Sequence, residues 1–165
     1  MPLNLANWIT LSRLLAVPLI FVAIAQEWQL CALISFAIAC VTDWLDGYVA
    51  RKYDLITDLG KALDPLVDKL LILAPLLAML EQGQVPAWAV YAIVARELLV
   101  TAWRGSSQKG ANIWGKAKTV SQMVAIGALL LRWEYAIYSL YLAVALTLWS
   151  GVSYVLPERS PDLIP

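Results

Sequence analysis

The sequence predicts an all-α, polytopic membrane protein with six transmembrane helices, and three observations support this fold class. Hydrophobic residues make up 61% of the 165-residue chain, charged residues only 15%, and the mean hydropathy is +0.71, a composition typical of membrane proteins. Six apolar runs follow one another, each near the ~20 residues that cross a bilayer. Lysine and arginine gather at one end of these runs. We expect a single membrane domain over 1–165, with a short polar tail at 157–165.

The first predicted span, 8–25, ends in Ala23-Ile24-Ala25, which imitates a signal-peptidase site. A cleaved signal carries its positive charge ahead of the apolar region, whereas Arg13 lies inside this one and no basic residue precedes it. We therefore interpret the run as a retained span. The other predicted spans are 30–52, 59–80, 87–107, 114–132 and 135–156.

The distribution of lysine and arginine predicts the orientation. The connections at 26–29 and 81–86 contain neither residue, and near the span ends only Arg132 lies on their side. The cations of the other side are Arg51, Lys52, Lys61, Arg104, Lys109, Lys116, Lys118 and Arg159. Because positive residues stay inside, we expect a multi-pass protein of the cell (inner or plasma) membrane with both termini in the cytoplasm.

Charge and composition exclude several kinds of chemistry. The formal net charge is zero, so nothing suggests a nucleic-acid partner. The chain contains no histidine, which excludes Ser-His and Cys-His catalysis and histidine-bound zinc. Carboxylates are then the expected acid–base groups.

Four carboxylates interrupt the second and third predicted spans at regular spacing. The positions Asp43, Asp46, Gly47 and Ala50 fall at i, i+3, i+4 and i+7, and Gly60, Asp64 and Asp68 fall four apart. Each set forms a stripe on one helix face, and a hairpin of the two helices would bring the acids face to face. Close carboxylates repel one another unless cations hold them, so the expected occupant is a divalent metal, as a pair of ions.

Two other interpretations compete with a metal site. Scattered acids on the helices of a soluble protein usually form a solvated face, but here the flanks 33–41 and 70–80 are almost purely apolar. A charged residue in such a span costs roughly 2.5–3.5 kcal/mol and is by default functional. A cation channel or transporter also places acids at mid-membrane, and Pro65 beside Asp64 could break the third helix as transporters do.

The pattern D-x2-D-G-x2-A-R-x8-G-x3-D-x3-D, which runs from Asp43 to Asp68, resembles the signature of the CDP-alcohol phosphotransferase family. The resemblance implies two Mg²⁺ (or Mn²⁺) ions held by Asp43, Asp46, Asp64 and Asp68, with Asp68 also deprotonating the attacking hydroxyl. It implies contacts to CDP-diacylglycerol from Gly47, Ala50, Arg51 and Gly60, with Thr57, Asn7 and Thr10 as weaker candidates. Spacing alone supports close helix packing equally well for the two glycines.

A second group of cations, on the fourth and fifth spans, predicts a site for an anion. Its members are Arg96, Arg104, Lys116 and Lys118. Arg96 lies deep in its span, and the adjacent Glu97 projects about 100° away around the helix, so we expect Glu97 to be a poor partner. The phosphate of a phosphorylated alcohol would meet this need. For Lys116 and Lys118, anchoring at the cytoplasmic face is the alternative.

The sequences A-R-E-L and G-K-x-K-T-x-x-Q-M in these spans, together with Asn7-x-x-Thr10-x-x-Arg13 at the start of the chain, resemble the phosphatidylglycerophosphate synthases of the same family. This resemblance implies transfer of the phosphatidyl group of CDP-diacylglycerol to sn-glycerol 3-phosphate with release of CMP. It also implies a homodimer. The closest alternative acceptors are phosphatidylglycerol and inositol phosphate. The depth of the acids requires a site that opens to the cytoplasm.

Overall fold

The computed structural model describes residues 5–53, 58–104 and 113–155, and within them the side chains of residues 12–45, 63, 65–103 and 113–153. These segments form six α-helices, and no β-strand occurs among them. The helices are α1 Leu5–Ala25, α2 Gln29–Tyr53, α3 Asp58–Glu81, α4 Ala87–Arg104, α5 Ile113–Leu130 and α6 Ala136–Val155. The predicted all-α class and the six helices are confirmed.

The helices begin and end close to the predicted positions because the apolar runs are bounded by polar turns. Pro86 immediately precedes α4, and its carbonyl accepts from the N–H of Ala89 at 3.1 Å. Helix α3 continues without interruption through Pro65 and Pro75. The break that Pro65 would have given a transporter is therefore absent from α3.

Three helices end in the same kind of turn, at one end of the bundle. Glu27, Gly83 and Arg132 follow α1, α3 and α5 with φ of 59°, 70° and 51°. In each turn the next N–H bonds to the carbonyl five residues back, at 2.8–3.2 Å, which is the Schellman arrangement. Arg132 lies 3.8 Å from the exposed carboxylate of Glu27. Among the described residues, Arg132 at this cation-poor end thus has an acidic neighbour.

Helix α1 lies at the centre of the first half of the bundle. It packs extensively against α2 and against α3, whereas α2 and α3 contact each other only slightly. The hairpin that was expected to bring the acids face to face therefore includes α1, which packs against both α2 and α3. In the second half, α5 packs along α6, α4 packs against α6 and α3, and α5 reaches α2 and α3.

The interior contains polar side chains and the exterior contains many apolar ones. Buried polar residues are Arg13, Arg96, Glu97, Lys118, Gln122, Thr147 and Ser150. Exposed apolar residues occur on every helix, for example Leu15, Ile34, Leu66, Leu99, Val124 and Leu148. By length and hydropathy, one segment of the described residues, Ala136–Ser153, qualifies as a membrane span, and Ser12–Ala25 and Gln29–Leu45 are shorter apolar stretches.

Candidate active site

Asp43 of α2 and Asp68 of α3 meet at the guanidinium group of Arg13, which comes from α1. One nitrogen, Nη1 of Arg13, donates to Oδ1 of Asp43 and lies 3.3 Å from Oδ1 of Asp68. The Arg13 side chain is only 3% exposed, while those of Asp43 and Asp68 are 27% and 48% exposed. The arginine therefore lies behind the two carboxylates, and the carboxylates line an accessible side. A buried arginine without an acidic partner would cost several kcal/mol, so the three residues stabilise one another.

The other two predicted metal ligands lie on the same helices. Asp46 is in α2, three residues after Asp43, and Asp64 is in α3, four residues before Asp68. Their side chains fall outside the described part of the structure. The same holds for these predicted contacts to CDP-diacylglycerol or to the acceptor, which lie within helices: Gly47, Ala50 and Arg51 in α2, Gly60 in α3, Asn7 and Thr10 in α1, and Arg104 at the end of α4. Thr57 lies outside the described residues.

The donor set at Asp43 and Asp68 fits a hard divalent cation. Both residues bring a carboxylate oxygen to the same point, and carboxylate oxygens are the ligands that Mg²⁺ prefers. Among the side chains that the structure describes, no group of three or more metal-binding residues occurs, and the other two predicted ligands, Asp46 and Asp64, are not among those side chains. The paired acids and the chemistry of their oxygens are the observations that favour a metal here.

A second polar cluster lies inside the bundle, between α4, α5 and α6. Lys118 donates to Oε1 of Glu97, Nη1 of Arg96 lies 3.2 Å from the same oxygen, and Nη2 of Arg96 donates to Ser150. All four residues are buried. The expectation that Glu97 would be a poor partner for Arg96 is wrong. The two Cβ atoms do point in different directions, but both side chains are long enough to turn back toward each other.

Arg96 also packs tightly against the backbone of α6. A Cβ built on Gly151 would lie 3.2 Å from Cγ of Arg96, which is tighter than most real Cβ contacts, so the arginine stem would have to shift slightly. A Cβ on Gly127 in α5 would have no neighbour within 4 Å. Gly151 thus lets the stem of the buried arginine lie against α6.

These two glycines give a matched prediction for stability. Gly127→Ala should raise the apparent unfolding temperature in detergent, because alanine is favoured in helices by about 0.8–1.0 kcal/mol over glycine. Gly151→Ala gains the same propensity but must displace Arg96, so its unfolding temperature should lie below that of Gly127→Ala by a few degrees. The measurement is thermal unfolding of both variants beside the parent. Equal stabilisation by both changes would contradict the close approach at Gly151.

A cavity of about 190 Å³ connects the two clusters. It lies between α3, α4 and α5, and its wall is formed by Pro65, Asp68, Lys69, Ile72, Leu73, Glu97, Lys118, Thr119 and Gln122. Asp68 therefore belongs both to the acidic group around Arg13 and to the wall of this cavity. Lys69 donates to Oγ1 of Thr101 at 2.6 Å and brings a second cation to the same wall.

The structure places the predicted acceptor-site cations in different surroundings. Lys118 is buried and lines the cavity with Asp68, whereas Lys116 is exposed and lines a different surface depression with Ile113 and Val120. Two residues along a helix differ by about 200° around its axis, which explains the separation. Arg96 contacts Glu97, which lines the cavity, and Arg96 itself lines an apolar groove between α4 and α6.

Two residues near the acids have places that the sequence patterns did not assign. The patterns give Arg13 no role at the acids: it is a charge inside the first span and the last residue of the pattern Asn7-x-x-Thr10-x-x-Arg13. They do not single out Lys69. For Arg13, the signal in the sequence is that it is the only charged residue between Leu5 and Ala25. A single charge in an apolar span requires an acidic partner from another helix. For Lys69, the signal was a cation directly after Asp68 in an otherwise apolar segment.

Comparison with known proteins bears on what this arrangement does. Residues 3–149 match the family described as CDP-alcohol phosphatidyltransferase. The chain is 38% identical to the CDP-diacylglycerol–glycerol-3-phosphate 3-phosphatidyltransferase of Bacillus subtilis (strain 168), over 92% of this chain and 93% of that protein. The proteins of the same name from Haemophilus influenzae and Salmonella choleraesuis are 36% and 34% identical. Those matches cover 94% and 99% of this chain and 93% and 99% of the relatives. The chain therefore belongs to the CDP-alcohol phosphatidyltransferase family.

Proposed function

We propose that the protein transfers the phosphatidyl group of CDP-diacylglycerol to sn-glycerol 3-phosphate, giving phosphatidylglycerophosphate and CMP. The relatives named above carry this activity in their names. The observation that carries the proposal is the double position of Asp68, which joins the acidic group at Arg13 to a cavity walled by Lys69 and Lys118. A base at this position borders both places and can reach a hydroxyl that enters from the cavity.

We infer that Asp43, Asp46, Asp64 and Asp68 hold two divalent ions, Mg²⁺ or Mn²⁺. When bound, such ions neutralise the charge on the phosphate oxygens of the substrate and on the leaving group. The chain's own contribution is to carry the four carboxylates on two helices, α2 and α3, that both pack against α1, and to keep the Asp68 side chain accessible. We expect Gly47, Ala50, Arg51 and Gly60 to contact the CDP moiety, with Thr57, Asn7 and Thr10 as secondary contacts.

The reaction is a single displacement. The glycerol hydroxyl gives its proton to the Asp68 carboxylate while the hydroxyl oxygen bonds to the lipid-side phosphorus. The bond from that phosphorus to the bridging oxygen breaks, and CMP leaves with this oxygen and the electron pair. Asp68 is suited to this base role because its side chain is half exposed and faces the cavity. Arg13 holds the other side of the same carboxylate and fixes its orientation.

The cavity between α3, α4 and α5 is our candidate for the acceptor. Lys118 and Lys69 are its cations, and Thr119 and Gln122 add polar groups to its wall. A phosphate placed there would lie beside Lys118, while the glycerol hydroxyl points toward Asp68. Arg96, Arg104 and Lys116 stay in the proposal as predicted contributors, and Arg96 would act mainly by holding Glu97 in place.

Replacing Lys118 should test this acceptor site directly. Lys118→Ala removes a charge-assisted hydrogen bond, typically ~1.5–3 kcal/mol, so we expect the KM for glycerol 3-phosphate to rise roughly ten- to hundredfold. The KM for CDP-diacylglycerol should change little. The measurement is a pair of KM values with each substrate varied in turn, with Arg96→Ala and Lys116→Ala assayed alongside. A variant that weakens CDP-diacylglycerol and spares glycerol 3-phosphate would assign Lys118 to the pyrophosphate instead.

We propose that all six helices span the membrane as a multi-pass protein, with both termini in the cytoplasm and the site open to it. The apolar exterior and the buried charges favour a bilayer over water as the surrounding medium. At the end of the bundle opposite the acids, aromatic rings at Trp88, Tyr141, Tyr138, Tyr135 and Trp133 follow one another with centroids 5.4–6.4 Å apart. Such rings favour the membrane–water interface. The family resemblance also implies a homodimer.

A direct assay decides between these activities. Purified protein is incubated with CDP-diacylglycerol, Mg²⁺ and labelled glycerol 3-phosphate, phosphatidylglycerol or inositol phosphate, and CMP release is followed. We expect CMP with glycerol 3-phosphate, and none after a chelator removes the metal. Release with another acceptor alone would reassign the substrate. No CMP, together with cation flux in protein-containing vesicles, would favour the channel or transporter.

A further inference from the structure

Arg13 contacts the acidic site, and the proposed reaction assigns it only the orientation of Asp68. It is the only charged residue of α1, and its side chain is 3% exposed in the middle of the bundle. Its guanidinium group contacts two carboxylates from two other helices. Arg13 is therefore part of the acidic site and not of the protein surface.

The geometry gives Arg13 and a divalent ion the same partners. Nη1 of Arg13 lies against Oδ1 of Asp43 and Oδ1 of Asp68, and both residues are proposed metal ligands. The carboxylates are more exposed than the arginine, so a metal arriving from the accessible side meets acids that already have a cation behind them. Carboxylates this close repel each other, and either cation relieves that repulsion.

We propose that Arg13 is a positioning residue that acts as the resident counter-ion of the metal site, sharing Asp43 and Asp68 with the divalent ions. In the metal-free protein it holds the two acids together. In the loaded protein its fixed charge repels the ions and keeps their binding weak enough for exchange. This inference rests on the metal site of the proposed function.

The sign of one measurement separates this role from a merely structural one. A structural arginine only orients the acids, so its loss would weaken metal binding. A counter-ion also opposes the metal, so its loss would tighten binding. Even with the dielectric constant of water, the repulsion between one positive charge and a divalent ion a few ångströms away corresponds to about tenfold or more in affinity. We therefore expect the electrostatic effect to exceed the loss of orientation.

The experiment measures Mn²⁺ binding to the full-length protein in detergent by electron paramagnetic resonance, so it needs no turnover. Arg13→Gln should lower the Kd for Mn²⁺ at least about tenfold. Arg13→Lys keeps the charge and should bind Mn²⁺ like the parent. Arg132→Gln is the matched control, because it makes the same change at an exposed residue at the other end of the bundle.

Thermal unfolding gives the second readout. In a chelator, Arg13→Gln should unfold at a lower temperature than the parent, and Mn²⁺ should raise its unfolding temperature more than it raises that of the parent. If Arg13→Gln binds Mn²⁺ equally or more weakly, the counter-ion role is overturned. Failure of the variant to fold even when purified in Mn²⁺ would also overturn it, because the metal should replace the missing charge. A parent that binds no Mn²⁺ would instead overturn the metal site itself.

Discussion

Asp68→Asn should bind CDP-diacylglycerol yet lose turnover by at least ~10²–10⁴-fold, the usual contribution of a general base. The amide has the size of the carboxylate but cannot accept the hydroxyl proton, and it also weakens one metal ligand. Because Asp68 faces the cavity that holds Lys118, the defect should lie in the chemical step. The measurement is single-turnover CMP release at saturating substrates, with CDP-diacylglycerol affinity determined separately.

Glu81→Gln provides the matched control for this experiment. Glu81 lies on the same helix as Asp68, at its opposite end, and is exposed. The change from carboxylate to amide should therefore leave turnover near that of the parent. An Asp68→Asn variant with a collapsed affinity for CDP-diacylglycerol but a normal single-turnover rate would contradict the base role. In that case Asp68 would serve only as a metal ligand.

The positions of the helices could be predicted from the sequence because they depend on local chemistry. Apolar runs of helical length end at polar turns, so the predicted span 30–52 became α2, Gln29–Tyr53. The shared helix of Asp43 and Asp46, and that of Asp64 and Asp68, likewise follow from spacing within one element.

The neighbours of each helix could not be predicted in the same way. Periodicity identifies which residues share a face, but it does not say which other helix covers that face. The sequence suggested that α2 and α3 pair directly, whereas each packs mainly on α1. For this reason the partner of Asp43 and Asp68 was missed, since Arg13 is 30 residues from the first and 55 from the second.

The partner of Arg96 shows a second limit, at the scale of one side chain. The angle between successive residues on a helix predicted that Glu97 points away from Arg96, and the Cβ directions agree with that angle. Three or four rotatable bonds beyond Cβ nevertheless let both ends meet, at 3.2 Å. Lys118 supports this arrangement from α5. Such contacts depend on the packing of α4, α5 and α6, which spacing along one helix does not contain.

Asp43→Asn should reduce turnover at ordinary Mg²⁺ concentrations by more than the ~10–100-fold that loss of a residue supporting a metal ligand typically costs. Asp46→Asn and Asp64→Asn should do the same, because each removes one charge that two divalent ions require. High Mn²⁺ should restore part of the Asp43→Asn activity. The measurement is the initial rate of CMP release as a function of metal concentration. Glu27→Gln, an exposed change in the turn after α1, should follow the parent curve. Near-normal activity of Asp43→Asn at ordinary Mg²⁺ would refute the two-metal site.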